Sequence, residues 1–306
     1  MTKRIAQLDA IKGIAIILVV LGHCIYVFAK ASSWMVALDE FIYIFHMPLF
    51  FAVSGYLFNP NVNVAKKARR LLVPFFVWAS PVILVHILLG KYSSNFYMNL
   101  LEECSVLLRG GYYWYLIYLF YMIILAKICF KLTKSKIWML IISMLISLAS
   151  YLIATTCAFP EFLVRYFYNY FFFLAGYLAK SNGIFKAKKG RRYWILGFGI
   201  LTVVTTEEYF MGVEIYKIFA AIGIVGIVFL LMEKIDFQES NALCRIGTYT
   251  MAIYLFDQYL IDVENKFIPD IAWLVPVFAF VNICVPIVIY ELIIKNSKIL
   301  LYSLGE

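Results

Sequence analysis

The first apolar segment of the chain carries a lysine and a histidine whose spacing places them on one face of a helix. Lys12 and His23 are eleven residues apart, and eleven steps of about 100° end about 20° past three full turns, about 16 Å along the axis. An imidazole is the side chain best suited to take a proton from a hydroxyl near neutral pH, so His23 is a candidate general base. The less specific interpretation is that Lys12 extends to lipid headgroups and His23 hydrogen-bonds a neighbouring helix.

A carboxylate lies in a later apolar segment. Thr250, Tyr254 and Asp257 follow the spacing i, i+4, i+7 and therefore share one helix face. An ionisable residue within a membrane span is costly and marks a candidate site. Asp257 would either orient His23 or stay unionised, and nothing in the local pattern shows whether the two helices touch. We take His23 and Asp257 as the candidate catalytic residues.

Small and basic residues follow in the second span and the loop after it. Ser54 and Gly55 allow the close approach of either a neighbouring helix or a thin ligand. The run 66–70 then supplies Lys-Lys-Ala-Arg-Arg, which is an ordinary composition for a cytoplasmic loop. For the run as a whole this is the favoured explanation, but its position near the inner end of the helix face that carries Lys12 raises an alternative, in which these cations hold phosphates.

The composition is that of a membrane protein. Apolar residues make up 64% of the 306 residues and charged residues only 15%, whereas a soluble domain is nearer half apolar and a quarter charged. A bilayer core of about 30 Å takes about 20 helical residues to cross. We therefore predict an all-α, polytopic transmembrane bundle that forms a single domain over residues 1–306. Its ten spans are predicted at 11–29, 41–58, 71–90, 112–132, 137–157, 161–180, 193–206, 214–232, 248–263 and 271–293.

The distribution of lysine and arginine predicts the orientation. With both termini in the cytoplasm, the cytoplasmic segments hold 19 of the 27 Lys and Arg residues and the outer segments four. Cytoplasmic loops are enriched in these residues, so this bias supports the orientation and accounts for the net charge of +9 without nucleic acid as a partner. The loops at 59–70 and 181–192 should then be cytoplasmic, and those at 91–111 and 207–213 external.

The cysteines and histidines show no spacing typical of a metal site. Six cysteines are scattered along the chain without a CxxC pair. Cys24 directly follows His23, and adjacent helical positions do not share a face, which argues against a cysteine nucleophile beside the histidine. We expect no metal and no permanently bound cofactor.

Several motifs resemble those of one protein family. The motifs are Leu8-Asp9-Ala10-Ile11-Lys12-Gly13-Ile14-Ala15, Val19-Val20-Leu21-Gly22-His23, Phe45-His46-Met47-Pro48-Leu49-Phe50-Phe51, Ser54-Gly55-Tyr56, Leu71-Leu72-Val73-Pro74, Trp114-Tyr115-Leu116, Leu174-Ala175-Gly176-Tyr177 and Ile246-Gly247-Thr248-Tyr249. In order and content these segments resemble the acyltransferase 3 family of membrane acyltransferases, and within it the fucose 4-O-acetylase-like group.

The resemblance implies a donor site as well as an activity. Members have ten helices and move an acyl group, usually acetyl, from cytoplasmic acyl-CoA to an envelope sugar or small molecule. The family's basic residue and histidine fall on Lys12 and His23, and its Arg-x-x-Arg motif falls on Lys67 and Arg70. Lysine in place of the first arginine keeps phosphate binding but not bidentate geometry. The resemblance makes Lys12, Lys67 and Arg70 candidates for the donor phosphates, with Ser54 beside the pantetheine arm.

The sequence therefore predicts O-acylation, most simply O-acetylation from acetyl-CoA, of a cell-envelope polysaccharide, its lipid-linked precursor or a related small molecule. The protein would be a multi-pass protein of the cell membrane in contact with lipid, with envelope-polysaccharide assembly proteins as further partners. The alternative is a transporter or flippase of envelope precursors, although the sequence has no detectable inverted repeat. A non-catalytic scaffold of a polysaccharide complex is a third interpretation.

Overall fold

Helices account for 87% of the computed structural model, and no strand occurs in the described part of the chain. The structure describes residues 5–88, 95–133, 135–156, 160–181, 191–210, 215–235, 237–267, 269 and 271–306. Its thirteen α-helices are α1 (Ala6–Phe28), α2 (Ser33–Tyr56), α3 (Val64–Leu88), α4 (Phe96–Leu108), α5 (Trp114–Leu132), α6 (Lys136–Thr156), α7 (Glu161–Ser181), α8 (Arg191–Phe210), α9 (Tyr216–Lys234), α10 (Ala242–Thr248), α11 (Thr250–Phe267), α12 (Val275–Leu292) and α13 (Lys298–Ser303).

Among the described residues, seven segments are long and apolar enough to cross a membrane, judged by length and composition. They are α1, α2, α3, α5, most of α6, most of α9, and the stretch Ala272–Asn296 that contains α12. An all-α membrane protein is thereby confirmed. The other three predicted spans are present as α7, α8 and α11, with 21, 20 and 18 residues. These three are less apolar, and the count of ten spans stays a prediction.

Helix boundaries differ from the predicted spans mainly where amphipathic turns extend an apolar run. Helix α2 begins at Ser33, eight residues before the predicted span at 41. Helix α4 was not predicted at all, because Asn99, Glu102 and Glu103 interrupt its apolar residues. Most of the predicted cytoplasmic loop at 181–192, namely residues 182–190, lies outside the described residues.

Helix α1 lies at the centre of the bundle, in contact with α2, α9, α10, α11 and α12. Its closest approach is to α10 and depends on two glycines. A Cβ atom on Gly13 would lie 2.1 Å from the carbonyl oxygen of Leu243, and one on Gly247 would lie 1.8 Å from that of Asp9. Small residues of this kind let helix backbones pack closely within a membrane.

A second pair of glycines joins α2 to α7. A Cβ atom on Gly55 would lie 1.7 Å from the carbonyl oxygen of Phe173, and one on Gly176 would lie 1.8 Å from that of Ala52. Of the two uses that the sequence left open for Gly55, the structure shows close helix packing. The neighbouring side chain, Ser54, is the one that faces a cavity.

Candidate functional site

Two neighbouring cavities lie among the described helices. The larger, of about 860 Å³, is lined by His23 and Asp257 and is called the His23 cavity. The smaller, of about 250 Å³, is lined by Lys12 and is called the Lys12 cavity. Helices α1, α2, α3, α5 and α11 line both cavities, so that each helix runs from one to the other.

The His23 cavity contains a hydrogen-bonded histidine–carboxylate pair. His23 Nδ1 lies 2.6 Å from Asp257 Oδ2. The carboxylate is almost fully enclosed, with 2% of its side chain exposed, whereas the imidazole is 33% exposed. With its proton on Nδ1, the histidine donates to the carboxylate and keeps Nε2 as an acceptor. A buried carboxylate in this position fixes the tautomer and stabilises the imidazolium that forms when the ring takes a proton.

Two other histidines border the same cavity but have different partners. His46 is buried, and its Nδ1 donates to the carbonyl oxygen of Ile42 at 2.8 Å. His86 Nδ1 lies 2.8 Å from Glu103 Oε1 and 2.7 Å from the hydroxyl of Tyr112. His86 lies at the outer end of the predicted span 71–90, as an interfacial residue would, and its buried partner Glu103 lies on α4, within the predicted external loop 91–111. Asn99 and Glu103 are four residues apart and share one face of α4, and this spacing is the sequence signal that could have revealed the helix.

Aromatic side chains form much of the wall of the His23 cavity. The run 112–115 has the composition of an aromatic belt at the membrane surface, yet Tyr112, Tyr113 and Trp114 line this cavity and Tyr115 lines the Lys12 cavity. The sequence could not separate these two placements, because tyrosine and tryptophan serve equally well in a belt and in a binding wall.

Glu161 and Arg165 form an ion pair that borders the His23 cavity. Arg165 Nη2 lies 2.7 Å from Glu161 Oε1, one helical turn away on α7. The guanidinium of Arg165 stacks over the ring of Trp114, 5.5 Å from its centroid. The cavity therefore combines flat aromatic faces with charged groups that are held in place.

The four residues proposed for the donor meet at the Lys12 cavity. Lys12, Ser54, Lys67 and Arg70 come from α1, α2 and α3, and all of them line it. Lys67 and Arg70 are one turn apart on α3, so that both can face the same ligand. Lys12 is already paired, since its Nζ lies 2.5 Å from Asp9 Oδ1.

Ser54 is fixed by a hydrogen bond rather than left free. Its Oγ lies 2.8 Å from the hydroxyl of Tyr115. The contact joins α2 to α5 and holds the Tyr115 ring beside the cavity.

Cys24 does not line the cavity that holds His23. It is buried, and Asn282 Nδ2 approaches its sulfur to 3.7 Å. The position agrees with the expectation that Cys24 and His23 do not share a face. Among the described residues, no group of three His, Cys, Asp or Glu side chains has the arrangement of a metal site.

Comparison with known proteins identifies the class of the chain. A family model described as an acyltransferase domain matches residues 5–291. The chain therefore belongs to the acyltransferase 3 family.

The similar proteins include two nodulation proteins named NolL. That of Sinorhizobium fredii is 31% identical over 148 residues, which cover 45% of this chain and 40% of the relative. That of Mesorhizobium japonicum is 30% identical over 145 residues, which cover 43% of this chain and 38% of the relative. The alignments thus span about two fifths of the length of these relatives. No solved structure matches the chain.

Proposed function

We propose that this protein is an integral membrane O-acyltransferase that uses cytoplasmic acyl-CoA, most simply acetyl-CoA, as its donor. The acceptor is a hydroxyl of a cell-envelope polysaccharide, its lipid-linked precursor or a related small molecule. The observation that carries the proposal is the arrangement of two adjoining cavities, one with cations and the other with a histidine–carboxylate pair, along a shared set of helices.

The Lys12 cavity is the donor site in this proposal. Lys12, Lys67 and Arg70 supply positive charge for the phosphates of coenzyme A, because charged hydrogen bonds to phosphate are the strong ones. The pantetheine arm passes Ser54 and carries the thioester towards the His23 cavity. No cofactor is bound permanently, since the donor is consumed as a substrate.

The His23 cavity holds the acceptor. Sugar rings carry apolar faces and polar edges, and the cavity wall offers both aromatic rings and charged groups. Tyr113 and Trp114 supply rings, while Arg165 and Gln258 supply hydrogen-bond donors. An envelope glycan or its lipid-linked precursor fits this combination.

The chemical step uses His23 as the general base. Its Nε2 takes the proton of the acceptor hydroxyl while the oxygen attacks the acyl carbonyl. The tetrahedral intermediate expels the coenzyme A thiolate as the carbon–sulfur bond breaks, and the thiolate takes the proton back from His23. Asp257 stabilises the imidazolium between these two transfers. The products are an O-acyl ester and free coenzyme A, with His23 neutral again.

Direct transfer requires no acyl-enzyme. Cys24, the residue next to His23, packs against Asn282 instead of bordering the His23 cavity. Exclusion of bulk water from the path of the thioester limits its hydrolysis.

A transporter or flippase of envelope precursors is the alternative function. Polar residues deep in a helix bundle also suit a transport path. Membranes containing the protein, incubated with acetyl-labelled acetyl-CoA, distinguish the two. The acyltransferase releases free coenzyme A and moves label into an ester that mild base removes, whereas a transporter leaves the label in the thioester.

The cellular setting is proposed on the same grounds. A multi-pass protein of the cell membrane meets acyl-CoA on one side and envelope glycans on the other, with lipid around its helices. Polysaccharide assembly proteins are its partners in this setting, and nucleic acid has no part in the reaction.

A further inference from the structure

The two cavities meet at three side chains. Val19 on α1, Met47 on α2 and Tyr254 on α11 each line both the His23 cavity and the Lys12 cavity. These three residues are called the partition. Any group that moves from the Lys12 cavity to His23 along α1, α2 and α11 has to pass it.

The position of the partition on α1 places it directly before the candidate base. Val19 precedes His23 by four residues, which is about one turn and about 6 Å along the helix. Lys12 precedes Val19 by seven residues, about 10 Å on the same face. A thioester that enters beside Lys12 therefore presents its acyl group to the partition just before it reaches His23.

One side of the partition is rigid. The Tyr254 ring lies between two other tyrosine rings, 5.7 Å from Tyr113 and 6.0 Å from Tyr115 between centroids. Tyr115 is held by its hydrogen bond to Ser54, and the hydroxyl of Tyr113 donates to the carbonyl oxygen of Leu255 at 3.0 Å. The width of the passage therefore depends on the other two members of the partition, Val19 and Met47.

The partition is also uncharged, since it consists of a valine, a thioether and a phenol. A carboxylate that enters such a passage loses its hydration without gaining a cationic partner, which is strongly unfavourable. An uncharged acyl group carries no such cost.

We propose that Val19, Met47 and Tyr254 select the acyl group, so that the donor is restricted to small, unbranched and uncharged acyl thioesters. The proposal rests on the proposed function and adds the substrate class of its donor. Val19 and Met47 set the width, and the absence of charge in the partition excludes dicarboxylic acyl groups such as succinyl.

The test compares three labelled donors in membranes that contain the protein: acetyl-CoA, isobutyryl-CoA and succinyl-CoA. Wild-type protein should transfer acetyl and little of the other two. Val19→Ala and Met47→Ala should each raise the isobutyryl-to-acetyl ratio about tenfold, because one or two carbon atoms in an apolar pocket change discrimination by about this factor. Succinyl transfer should stay low in both variants.

Matched controls lie on buried positions outside both cavities. Val20→Ala makes the same change one residue along α1, and Met122→Ala makes the same change on α5; neither residue lines either cavity. Both controls should keep the wild-type ratio. The opposite change, Val19→Phe, should abolish acetyl transfer while binding of coenzyme A itself stays within about twofold.

The outcomes distinguish a failure of acyl-group selection from a failure of the proposed acyl transfer. Selection by the partition would be overturned if the wild-type protein transferred isobutyryl as readily as acetyl, or if Val19→Ala and Met47→Ala both kept the wild-type isobutyryl-to-acetyl ratio. Acyl transfer itself would still stand. Normal acetyl transfer by Val19→Phe would overturn the selection in the same way. If no donor yields an ester with the wild-type protein, the proposed function itself is wrong.

Discussion

His23 on α1 and Asp257 on α11 are 234 residues apart in the chain, and the nitrogen and oxygen that join them are 2.6 Å apart. The contact links the first helix of the bundle to one that forms near the end of the chain. It gives the imidazole a fixed orientation in a cavity large enough for a sugar, about 860 Å³. The proposed chemistry depends on this contact.

Removing the charge of Asp257 should therefore impair the reaction without disturbing the fold. Asp257→Asn keeps the size of the side chain but no longer stabilises an imidazolium, so transfer should fall by about 10²–10⁴-fold. Initial rates of ester formation, normalised to the amount of inserted protein, measure the loss. Asp262→Asn is the control, because Asp262 accepts from Gln258 and makes no hydrogen bond to His23 in the structure; it should lose less than tenfold. Equal losses in the two variants would contradict the pairing.

Substitutions at the donor site should change the KM for acetyl-CoA. Phosphate binding contributes equally to the ground state and the transition state, so Lys67→Gln and Arg70→Gln should raise KM far more than they lower kcat. Both residues line the Lys12 cavity.

The same helix provides controls for the donor site. Lys66 and Arg69 are exposed and line neither cavity, and Arg69 lies over the ring of Tyr302. Lys66→Gln and Arg69→Gln should leave KM within about twofold. A collapse of kcat at unchanged KM in Lys67→Gln or Arg70→Gln would mean that these residues do not hold the donor.

The glycine contact between α2 and α7 predicts a loss of stability. A methyl group on Gly55 would overlap the backbone of Phe173, and forced overpacking costs about 1–3 kcal/mol or more. Gly55→Ala should therefore lower the thermal unfolding temperature of the protein in detergent. Gly197→Ala is the matched control, because a Cβ atom there meets nothing within 4 Å. If the two variants unfold at the same temperature, α2 and α7 do not pack as closely as described.

The orientation can be checked with two exposed residues. In a cysteine-free background, Arg109→Cys should react with an impermeant thiol reagent added outside intact cells, and Asn61→Cys should react only after the membrane is opened. The expectation follows from the bias of Lys and Arg towards the loops that include Asn61. Labelling of Asn61→Cys in intact cells, with Arg109→Cys protected, would reverse the topology.

The local part of the site could be predicted from the sequence. Lys12 and His23 share a face of α1 because helix geometry fixes the angle between residues eleven apart. The same reasoning placed Thr250, Tyr254 and Asp257 on one face of α11, and all three line a cavity. Periodicity within one helix was sufficient for these positions.

The long-range part could not be predicted. Whether α1 touches α11 depends on how the helices assemble, and neither helix carries that information in its own pattern. Helix α4 was missed because its pattern is reversed: Asn99 and Glu103 face inward, whereas Phe96, Tyr97 and Leu101 are exposed. A search for polar residues that share one face of an apolar segment would have found it.

The most direct test of the account is the rate of acyl transfer by His23→Gln. Glutamine keeps a polar group of similar size at the cavity wall but cannot take a proton, so the variant should insert normally and lose about 10²–10⁴-fold in rate. His46→Gln serves as the control, because His46 lines the same cavity and its Nδ1 bonds to its own helix; its loss should stay below about tenfold. A well-inserted His23→Gln protein that forms ester at a near-normal rate would show that His23 is not the base.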